Sequence, residues 1–277
     1  MRDKDCVEFL QSHLPRLELR WAGYRKVRRT VCKRLGRRLR ELGLENLHAY
    51  ATLLEQDPDE WHKLEGCCRI PISRFYRDRK VFDTLARRVL LDLAQRAVAR
   101  GDCRVRGWSA GCASGEEPYS LRIAWSQYAE RANAGIRIGI LATDAEPTML
   151  RRAAQACYGK GSLKDLPSGA LDQAFVSHND SYCLRPEFKE GVCFALEDIR
   201  SEPPEEHFDL ILCRNLVFTY FDEALQAKVL SRLDAHLRPG GYLVIGGHER
   251  LPAKTEAFIP CDKTLAIFQK ESETAQL

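Results

Sequence analysis

Several features are missing from this sequence of 277 residues, and each absence excludes a class of protein. No run approaches the ~18–20 apolar residues that a membrane-spanning helix needs, so membrane insertion is not expected. The amino terminus carries charges but no apolar segment of the secretory-signal kind. None of the eleven cysteines forms Cys-x-x-Cys, and their odd number argues against a closed disulfide framework. Together these absences predict a cytoplasmic protein with reduced thiols.

Two missing motifs argue against one class of cofactor and one class of substrate. The chain has no G-x-G-x-x-G, which disfavours a nicotinamide or flavin dinucleotide as the cofactor. It has no Asn-Pro-Pro-Tyr-type base-flipping motif either, and its aromatic residues do not interleave with its arginines. A nucleic-acid substrate is therefore not expected. No Gly/Ser-rich linker or internal repeat divides the chain.

Positive charge is concentrated in one segment. Residues 16–40 hold eleven lysines and arginines and a single acid, Glu18, which is a local net charge of +10. The whole chain has a net charge of only +4, so the remaining residues are acidic on balance. Such a segment is either a solvated helix face or a docking surface for an acidic partner.

The first hundred residues have helical periodicity and almost no strand signal. Apolar residues recur every three or four positions from residue 27 to 42, in one stripe beneath the arginines, and Gly43 ends that helix. Further helices are predicted over residues 44–54, 61–68 and 75–98. The pattern predicts an all-helical N-terminal domain over residues 1–85.

Beyond residue 103, strands alternate with helices. Strands are predicted at 104–109, 136–143, 192–196, 208–213, 242–245 and 264–268, and helices at 116–133, 147–156 and 222–237. This alternation predicts a second domain over residues 86–277, an α/β fold with a doubly wound parallel sheet. Residues 158–191 do not fit the alternation and are predicted to form a small insertion with short strands of its own.

Ligands of such sheets bind beyond the carboxyl ends of the strands. The first predicted strand runs into a glycine loop, AGCASGEE at residues 110–117, where the backbone can approach a ligand closely. The two glutamates would repel a pyrophosphate and suit a ligand with a cationic end. S-adenosylmethionine, with a sulfonium and an ammonium group, is the common cofactor of that kind. The glutamates could also merely complement the dipole of the helix that follows.

Polar residues also follow the other predicted strands. Asp144 ends the second strand, where a carboxylate can accept both ribose hydroxyls of an adenosine. Asp198 closes the third strand and could receive the adenine amino group. Arg214 and Asn215 follow the fourth strand, beside the same crevice. Four polar strand ends and an acidic glycine loop in this order predict a binding site for the methyl donor.

Several of these segments resemble the chemotaxis-receptor glutamate methyltransferase family, the CheR type. They are WSAGCASGEEPYSL, ATDAEPTML, FDLILCRNLVFTYFD and LRPGGYLVIGGHE, and SRFYR at residues 73–77 is similar to that family's T-x-F-F-R. The basic helix and the residues after it resemble the family's all-helical amino-terminal domain, so the resemblance covers nearly the whole chain. It implies a Rossmann-like class I methyltransferase fold and transfer of a methyl group from S-adenosylmethionine to glutamate side chains of membrane receptors. The second product would be S-adenosylhomocysteine.

The resemblance also implies roles for individual residues. Ser73 and Arg77 would touch the cofactor, Glu116 would hold its methionine end and Asp144 its ribose. Four further residues would line the adenine and the methyl-transfer crevice: Asp198, Ile199, Arg214 and Asn215. No metal ligand is assigned.

Arg77 and Tyr220 are the catalytic pair predicted near the transferred methyl group. Methyl transfer is an in-line displacement at a sulfonium carbon, so alignment and exclusion of water supply most of the rate. A glutamate with a pKa of about 4.3 is already ionised at neutral pH and needs an orienting cation, not a general base. Arg77 could supply that cation, or could instead pair with a local acid such as Asp78. Tyr220 could bond to the substrate or cofactor, or could be a core aromatic residue.

Departures from the family pattern leave the acceptor open. Pro71 stands at a usual polar cofactor contact, and the segment RNLVFTYF is one residue longer than usual. Residues 246–250, GGHER, replace a typical G-H-S-E, and His248 is either a base for a thiol, amine or imidazole acceptor or an ordinary loop residue. The leading substrate is an acidic helical protein docked on the basic helix 25–40. A small-molecule acceptor under a helical lid is the alternative, and a non-catalytic cofactor sensor is a third hypothesis.

Overall fold

The chain folds into two compact units in a computed structural model that describes residues 2–133, 135–201, 205–252, 257–262 and 264–272. The first unit comprises Met1–Ile70 together with Thr219–Gln226, and the second comprises Pro71–Phe218 and Ala227–Leu277. The sequence prediction put the division at residue 85. Pro71, where the second unit begins, interrupts the helical pattern of the sequence. No helix in the described ranges has the length and apolarity to span a membrane.

The first unit is helical. Its helices are α1 (Asp3–His13), α2 (Trp21–Tyr24), α3 (Arg28–Glu41), α4 (Leu47–Gln56) and α5 (Pro58–Cys68). The predicted apolar stripe is confirmed, since α3 buries Val31, Leu35 and Leu39. Asn46 and Asp57 cap α4 and α5 by accepting hydrogen bonds from backbone N–H groups of the first turn, which explains where both helices begin.

One buried carboxylate organises the interior of the first unit. Glu60 is 3% exposed and accepts hydrogen bonds from Arg38 Nε at 2.9 Å, Arg38 Nη2 at 2.6 Å and the Tyr50 hydroxyl at 2.7 Å. These hydrogen bonds, that to Arg38 above all, lower the pKa of Glu60. The carboxylate therefore joins α3, α4 and α5.

The expectation of reduced thiols throughout is wrong for four of the eleven cysteines. Cys6 of α1 is bonded to Cys32 of α3, with Cα atoms 6.0 Å apart, and Cys157 is bonded to Cys183, with Cα atoms 4.0 Å apart. The other seven cysteines are free. The physical reason is that disulfide formation depends on the approach of two backbones in the fold, which neither the count nor the spacing of cysteines reveals.

The second unit contains all ten strands of the described residues. They are β1 (Arg104–Ala110), β2 (Arg137–Asp144), β3 (Cys157–Gly159), β4 (Phe175–His178), β5 (Ser181–Leu184), β6 (Val192–Leu196), β7 (Phe208–Leu212), β8 (Leu237–Val244), β9 (Phe258–Pro260) and β10 (Ile267–Lys270). The helices after the first unit are α6 (Arg79–Thr84), α7 (Leu90–Arg100), α8 (Glu116–Ala124), α9 (Glu130–Ala132), α10 (Pro147–Gln155), α11 (Ala170–Ala174), α12 (Val217–Tyr220) and α13 (Glu223–His236). The division between the two units falls within α12 and again within α13.

Seven strands form the main sheet, in the order β6-β2-β1-β7-β8-β10-β9. The first five are parallel, which confirms the predicted doubly wound architecture, whereas β10 pairs antiparallel with both β8 and β9. Strand order reverses between β1 and β7, and ligands of such sheets bind at that point. Strands β3, β5 and β4 form a separate sheet, so the predicted insertion with its own strands is confirmed.

The main core lies on one face of the sheet. Val105, Ile138 and Ile140 from β1 and β2 belong to it, together with Leu121 of α8 and Leu93 of α7. Side chains alternate across a strand, so the residues between these face the other side of the sheet.

Replacing Glu60 by Gln is expected to destabilise the first unit, because Arg38 loses its buried anionic partner. We expect a loss of about 1–3 kcal/mol in the free energy of unfolding at about pH 7, measured by urea unfolding. Because the folded-state pKa of Glu60 is lowered, its contribution is present above the unfolded-state pKa and is lost as the pH falls through the folded-state pKa.

The stabilities of the wild type and Glu60→Gln should therefore converge as the pH is lowered, and a gap that stays constant would contradict this. The matched control is Glu41→Gln, which removes an exposed partner of the same arginine and should change stability by less than about 1 kcal/mol.

Candidate functional site

The glycine loop after β1 contains three residues with a left-handed backbone. Gly111, Ala113 and Gly115 all have left-handed φ angles of 78°, 49° and 87°. The amides of Gly111 and Cys112 both donate to the carbonyl oxygen of Thr143, at 2.8 and 2.9 Å. A Cβ atom at Gly115 would lie 2.9 Å from that of Ala153, so this position requires glycine.

Asp144 joins this loop to the end of β2. Its Oδ2 accepts a hydrogen bond from the amide of Ala113 at 2.8 Å, and its Oδ1 accepts one from the amide of Glu146 at 2.9 Å. The carboxylate thus lies at the carboxyl edge of the sheet, beside the glycine loop. Its position agrees with the predicted ribose contact, which stays a prediction.

The two adjacent glutamates of the loop have different surroundings. Glu116 is 2% exposed and accepts a hydrogen bond from the Ser114 hydroxyl at 2.9 Å. Glu117 accepts hydrogen bonds from the Ser109 hydroxyl at 2.8 Å and from Arg214 Nη1 at 3.1 Å. Only Glu116 was predicted as a cofactor residue, and Glu117 was missed as a site residue because spacing alone cannot separate two neighbouring acids.

Arg214 is buried between two carboxylates. Its side chain is 2% exposed, and its Nη2 donates to Asp78 Oδ2 and to the carbonyl oxygen of Arg77, both at 2.8 Å. Its Nη1 donates to Glu117, as described above. The sequence predicted Arg214 as a residue lining the crevice, whereas its guanidinium is engaged in holding β7, α8 and residues 77–78 together.

The segment from 72 to 78 is irregular, although a helix was predicted from residue 75. Tyr76 and Asp78 have left-handed φ angles of 52° and 63°, and α6 begins only at Arg79. The amide of Phe75 donates to the carbonyl oxygen of Ser162 at 2.9 Å, and that of Tyr76 donates to the Ser120 hydroxyl at 2.9 Å. The insertion and α8 therefore fix this segment, which contains Ser73 and Arg77.

The insertion holds the segment through aromatic contacts as well. The ring of Phe75 packs edge-on against Tyr158 and Phe175, with centroids 4.8 and 5.2 Å apart. The Tyr158 hydroxyl in turn donates to the carbonyl oxygen of Ser114 in the glycine loop, at 2.8 Å. Tyr158 thus links the glycine loop to the segment that carries Arg77. Nothing in the sequence pointed to this role.

Arg77 does not pair with Asp78, the alternative considered from the sequence. Asp78 accepts a hydrogen bond from Arg214, whereas Arg77 Nη1 donates to the carbonyl oxygen of Ile72 at 2.7 Å. Partial burial lowers the pKa of Arg77, which remains a cation at neutral pH. Among the described residues its guanidinium has no carboxylate partner, so it can bind an anionic acceptor.

Asp198 is engaged with a neighbouring cation. Its carboxylate receives hydrogen bonds from Arg200 Nε at 2.9 Å and Arg200 Nη2 at 2.5 Å, and both side chains are about one quarter exposed. An adenine amino group would have to share this carboxylate with the guanidinium. The roles of Asp198 and of the half-buried Ile199 at the adenine stay predictions.

The backbone amide of Asn215 binds the carboxylate of Glu249, which was not predicted as a site residue. Glu249 is 8% exposed, and its Oε2 accepts hydrogen bonds from the amides of Gly246 at 2.6 Å and Asn215 at 2.8 Å. Asn215 has a left-handed φ of 57°, and a Cβ atom at Gly246 would lie 2.2 Å from its side-chain nitrogen. The Gly-His-Glu motif after β8 was the sequence signal that could have identified Glu249. His248 in that motif is exposed.

Tyr220 is the one predicted site residue that belongs to the first unit. Its carbonyl oxygen accepts a hydrogen bond from the amide of Arg20 at 2.8 Å, and its ring lies with its centroid 5.0 Å from that of Tyr24. All the other predicted site residues belong to the second unit. The pairing of Tyr220 with Arg77 stays a prediction.

The cysteines at this edge do not suit nucleophilic catalysis. Cys112 lies two residues after the end of β1 and Cys213 directly after β7, and both are buried. Burial raises the pKa of both thiols well above the ordinary value, so they are protonated and unreactive at neutral pH. The arrangement is suited to binding and aligning reactants rather than to forming a covalent intermediate.

Two family models match the chain. The one described as CheR methyltransferase, SAM binding domain, matches residues 72–267, and the one described as CheR methyltransferase, all-alpha domain, matches residues 26–65. The first covers most of the second unit and the second lies within the first unit.

Several curated proteins are similar to this chain in sequence. An uncharacterized 104.1 kDa protein of Rhodobacter capsulatus is 36% identical over 80% of this chain and 23% of its own length. A chemotaxis protein methyltransferase of Listeria innocua is 37% identical over 66% of each chain, and one of Borreliella burgdorferi is 30% identical over 79% of this chain and 78% of its own. The chain thus spans about a quarter of the first relative and about two thirds of the second.

A solved structure, the N-methyltransferase NodS from Bradyrhizobium japonicum, is similar with a TM-score of 0.37 and 18% sequence identity, over 66% of this chain and 86% of that chain. Similarity at that level adds nothing to the match of the family models.

Replacing Arg214 by Met is expected to destabilise the second unit, because it leaves Glu117 and Asp78 without their shared cation. Removing one partner of such a buried pair costs about 3–5 kcal/mol, and the partial exposure of Asp78 makes a loss of about 2–4 kcal/mol the expected result in urea unfolding. The exposed pair of Arg79 and Asp83 provides the control, since Arg79→Gln should cost less than about 1 kcal/mol.

A double-mutant cycle separates this effect from a simple loss of packing. Adding Glu117→Gln to Arg214→Met should recover part of the lost stability, because the orphaned charge is removed. Strict additivity of the two substitutions would show that the pair is not coupled.

Proposed function

Because this chain belongs to the CheR methyltransferase family, and has that family's SAM binding domain, we propose that it transfers the methyl group of S-adenosylmethionine to a glutamate carboxylate of an acidic helical protein of the receptor type. One observation carries the proposal. The second unit brings an acidic glycine loop and Asp144 to the point where the strand order reverses, with the Arg77 segment fixed beside α8.

The residues at this edge fit S-adenosylmethionine, the cofactor of the family's domain. The left-handed backbone of the glycine loop leaves room for a ligand to approach closely. A carboxylate oxygen can accept more than one hydrogen bond, so Asp144 can receive ribose hydroxyls in addition to the two amides that it already binds. Glu116 supplies the negative charge that an α-ammonium group requires.

The chemistry needs alignment more than proton transfer. The bound cofactor would supply an electrophilic methyl group on a sulfonium sulfur. A glutamate oxygen of the substrate forms the new C–O bond as the S–C bond breaks, and the sulfur keeps the electron pair. No proton moves, because the acceptor is already ionised. Arg77 donates a hydrogen bond to a carbonyl group and has no carboxylate ion-pair partner among the described residues, and we assign it to orienting that carboxylate.

The surface of α3 supports an acidic protein as the substrate. Four exposed cationic side chains occupy one face of the helix at spacings of three or four residues: Arg29, Lys33, Arg37 and Arg40. Other basic residues of α3 pair within the unit, Arg28 with Asp3 and Arg38 with Glu60, and Arg37 of the exposed face also lies 3.7 Å from Glu41. The exposed face opposes the buried apolar stripe, so its four charges point away from the core of the unit.

The nature of the methylated group gives the first test. Purified full-length chain is incubated with methyl-labelled S-adenosylmethionine and membranes of the native host, and the labelled protein is then treated with mild alkali. We expect the label to be released as methanol, because a carboxyl methyl ester is hydrolysed by alkali, whereas methylated amines and thioethers are stable. Asp144→Asn is the control that should abolish labelling by loss of cofactor binding. Alkali-stable label, or label found only in small molecules, would overturn the proposal.

Reversing the charge of the α3 face gives the second test. The variant Arg29→Glu, Lys33→Glu, Arg37→Glu and Arg40→Glu should lower kcat/KM for the protein substrate by about tenfold or more, because electrostatic attraction to an acidic partner is replaced by repulsion. Affinity for S-adenosylmethionine should not change. Arg151→Glu with Lys160→Glu, at exposed positions elsewhere, serves as the charge-reversal control. An equal loss in the control would mean that net charge alone matters.

A further inference from the structure

A cavity at the amino-terminal edge of the main sheet plays no part in the site described above. Its volume is about 580 Å³, and its lining includes four arginines: Arg104, Arg106, Arg122 and Arg137. The glycine loop and Asp144 lie at the carboxyl ends of the same strands. The cavity is therefore separate from the proposed cofactor site.

Three of these arginines stand on the face of the sheet opposite α8. Val105 and Ile138 point into the core beneath α8, so Arg104, Arg106 and Arg137, which alternate with them, point to the opposite face. Crossover helices normally cover both faces of a parallel sheet. The connection from β6 to β7 contains no helix in its described residues, 197–201 and 205–207. Arg104, Arg137 and Cys193 are exposed, so a ligand can reach this part of the sheet.

Two of the guanidiniums are placed where they repel each other. Arg104 of β1 and Arg137 of β2 are register partners on adjacent strands, and like charges directly opposite each other destabilise a sheet. Neither forms an ion pair with any residue in the described ranges. The side chain of Arg104 lies across Gly139, where a Cβ atom would be 3.1 Å from its Cδ. Because Gly139 has no side chain, the side chain of Arg104 can lie over β2.

The other basic groups at this edge are neutralised. Arg100 and Arg238 both bind the buried Asp209, at 2.9 and 3.2 Å. Of the carboxylates lining the cavity, Glu206 lies 3.9 Å from Arg106 and Glu130 lies 3.2 Å from Arg122. Among the described lining residues, the remaining carboxylate is Glu190, and it forms no ion pair with Arg104 or Arg137. The unpaired positive charge is therefore local to these two residues.

We propose that this cavity binds a phosphate-bearing small molecule, with a phosphate group bridging Arg104 and Arg137. A guanidinium presents two parallel N–H donors that match phosphate oxygens, and a shared dianion would turn the repulsion between the two arginines into attraction. The volume lies within the roughly 300–1,000 Å³ of small-molecule sites. This site is independent of the methyl-transfer reaction.

Calorimetry with inorganic pyrophosphate tests the site. The full-length chain is titrated at low ionic strength in the presence of saturating S-adenosylmethionine, so that the glycine loop is occupied. The wild type should bind pyrophosphate, and Arg104→Gln with Arg137→Gln should weaken that binding by about tenfold or more. The control, Arg151→Gln with Lys160→Gln, removes the same charge at exposed positions and should change the affinity by less than about twofold. The α3 charge-reversal variant should still bind.

Thermal unfolding gives an independent readout that excludes misfolding of the variant. Without ligand, Arg104→Gln with Arg137→Gln should be at least as stable as the wild type, because a like-charge pair is removed. Pyrophosphate should raise the Tm of the wild type but not that of this variant. No binding by the wild type, or equal weakening in the control, would overturn the proposal. Tighter, strongly salt-dependent binding of a single-stranded oligonucleotide would also overturn it, in favour of a nucleic-acid surface.

Discussion

The buried guanidinium of Arg214 is the interaction on which the candidate site depends. It joins the end of β7 to Glu117 at the start of α8 and to residues 77–78 of the irregular segment. These three pieces come from distant parts of the sequence. A charge buried away from water is costly unless it is paired. Any arrangement of these segments that separates Arg214 from its carboxylates is therefore disfavoured.

At the carboxyl edge of the sheet, near Arg214, two carboxylates accept hydrogen bonds from backbone amides. Asp144 binds the amide of the glycine loop, and Glu249 binds the amides of Asn215 and Gly246. A carboxylate that accepts two amide hydrogen bonds fixes a loop conformation that local propensity alone does not favour, such as the left-handed backbone of Asn215. This is consistent with a reaction whose rate comes from alignment, since a rigid edge positions two reactants without proton transfer.

Much of the fold could be predicted from the sequence. The alternating strand and helix patterns and the basic amphipathic α3 have local periodicity, and the insertion was predicted because it breaks the alternation. The structure confirms each of them. The helix predicted from residue 75 failed because two left-handed residues, Tyr76 and Asp78, interrupt it under the influence of contacts with Ser120 and Ser162. The antiparallel β10 and β9 were also not foreseen, since strand direction depends on how the connections run and not on the residues of the strand.

The sequence by itself determined the class of fold, the family resemblance and the edge of the sheet where the site lies, because periodicity and the residues that end each strand are local properties. Only the tertiary structure decided what each charged group does there. Arg214 and Asp198 are engaged with partners that are distant or unpredicted, Glu117 and Glu249 have positions in the site, and two cysteine pairs are bonded. The physical reason is that a charge or a thiol acts through whatever lies within a few ångströms of it, and that neighbourhood exists only after the chain has folded.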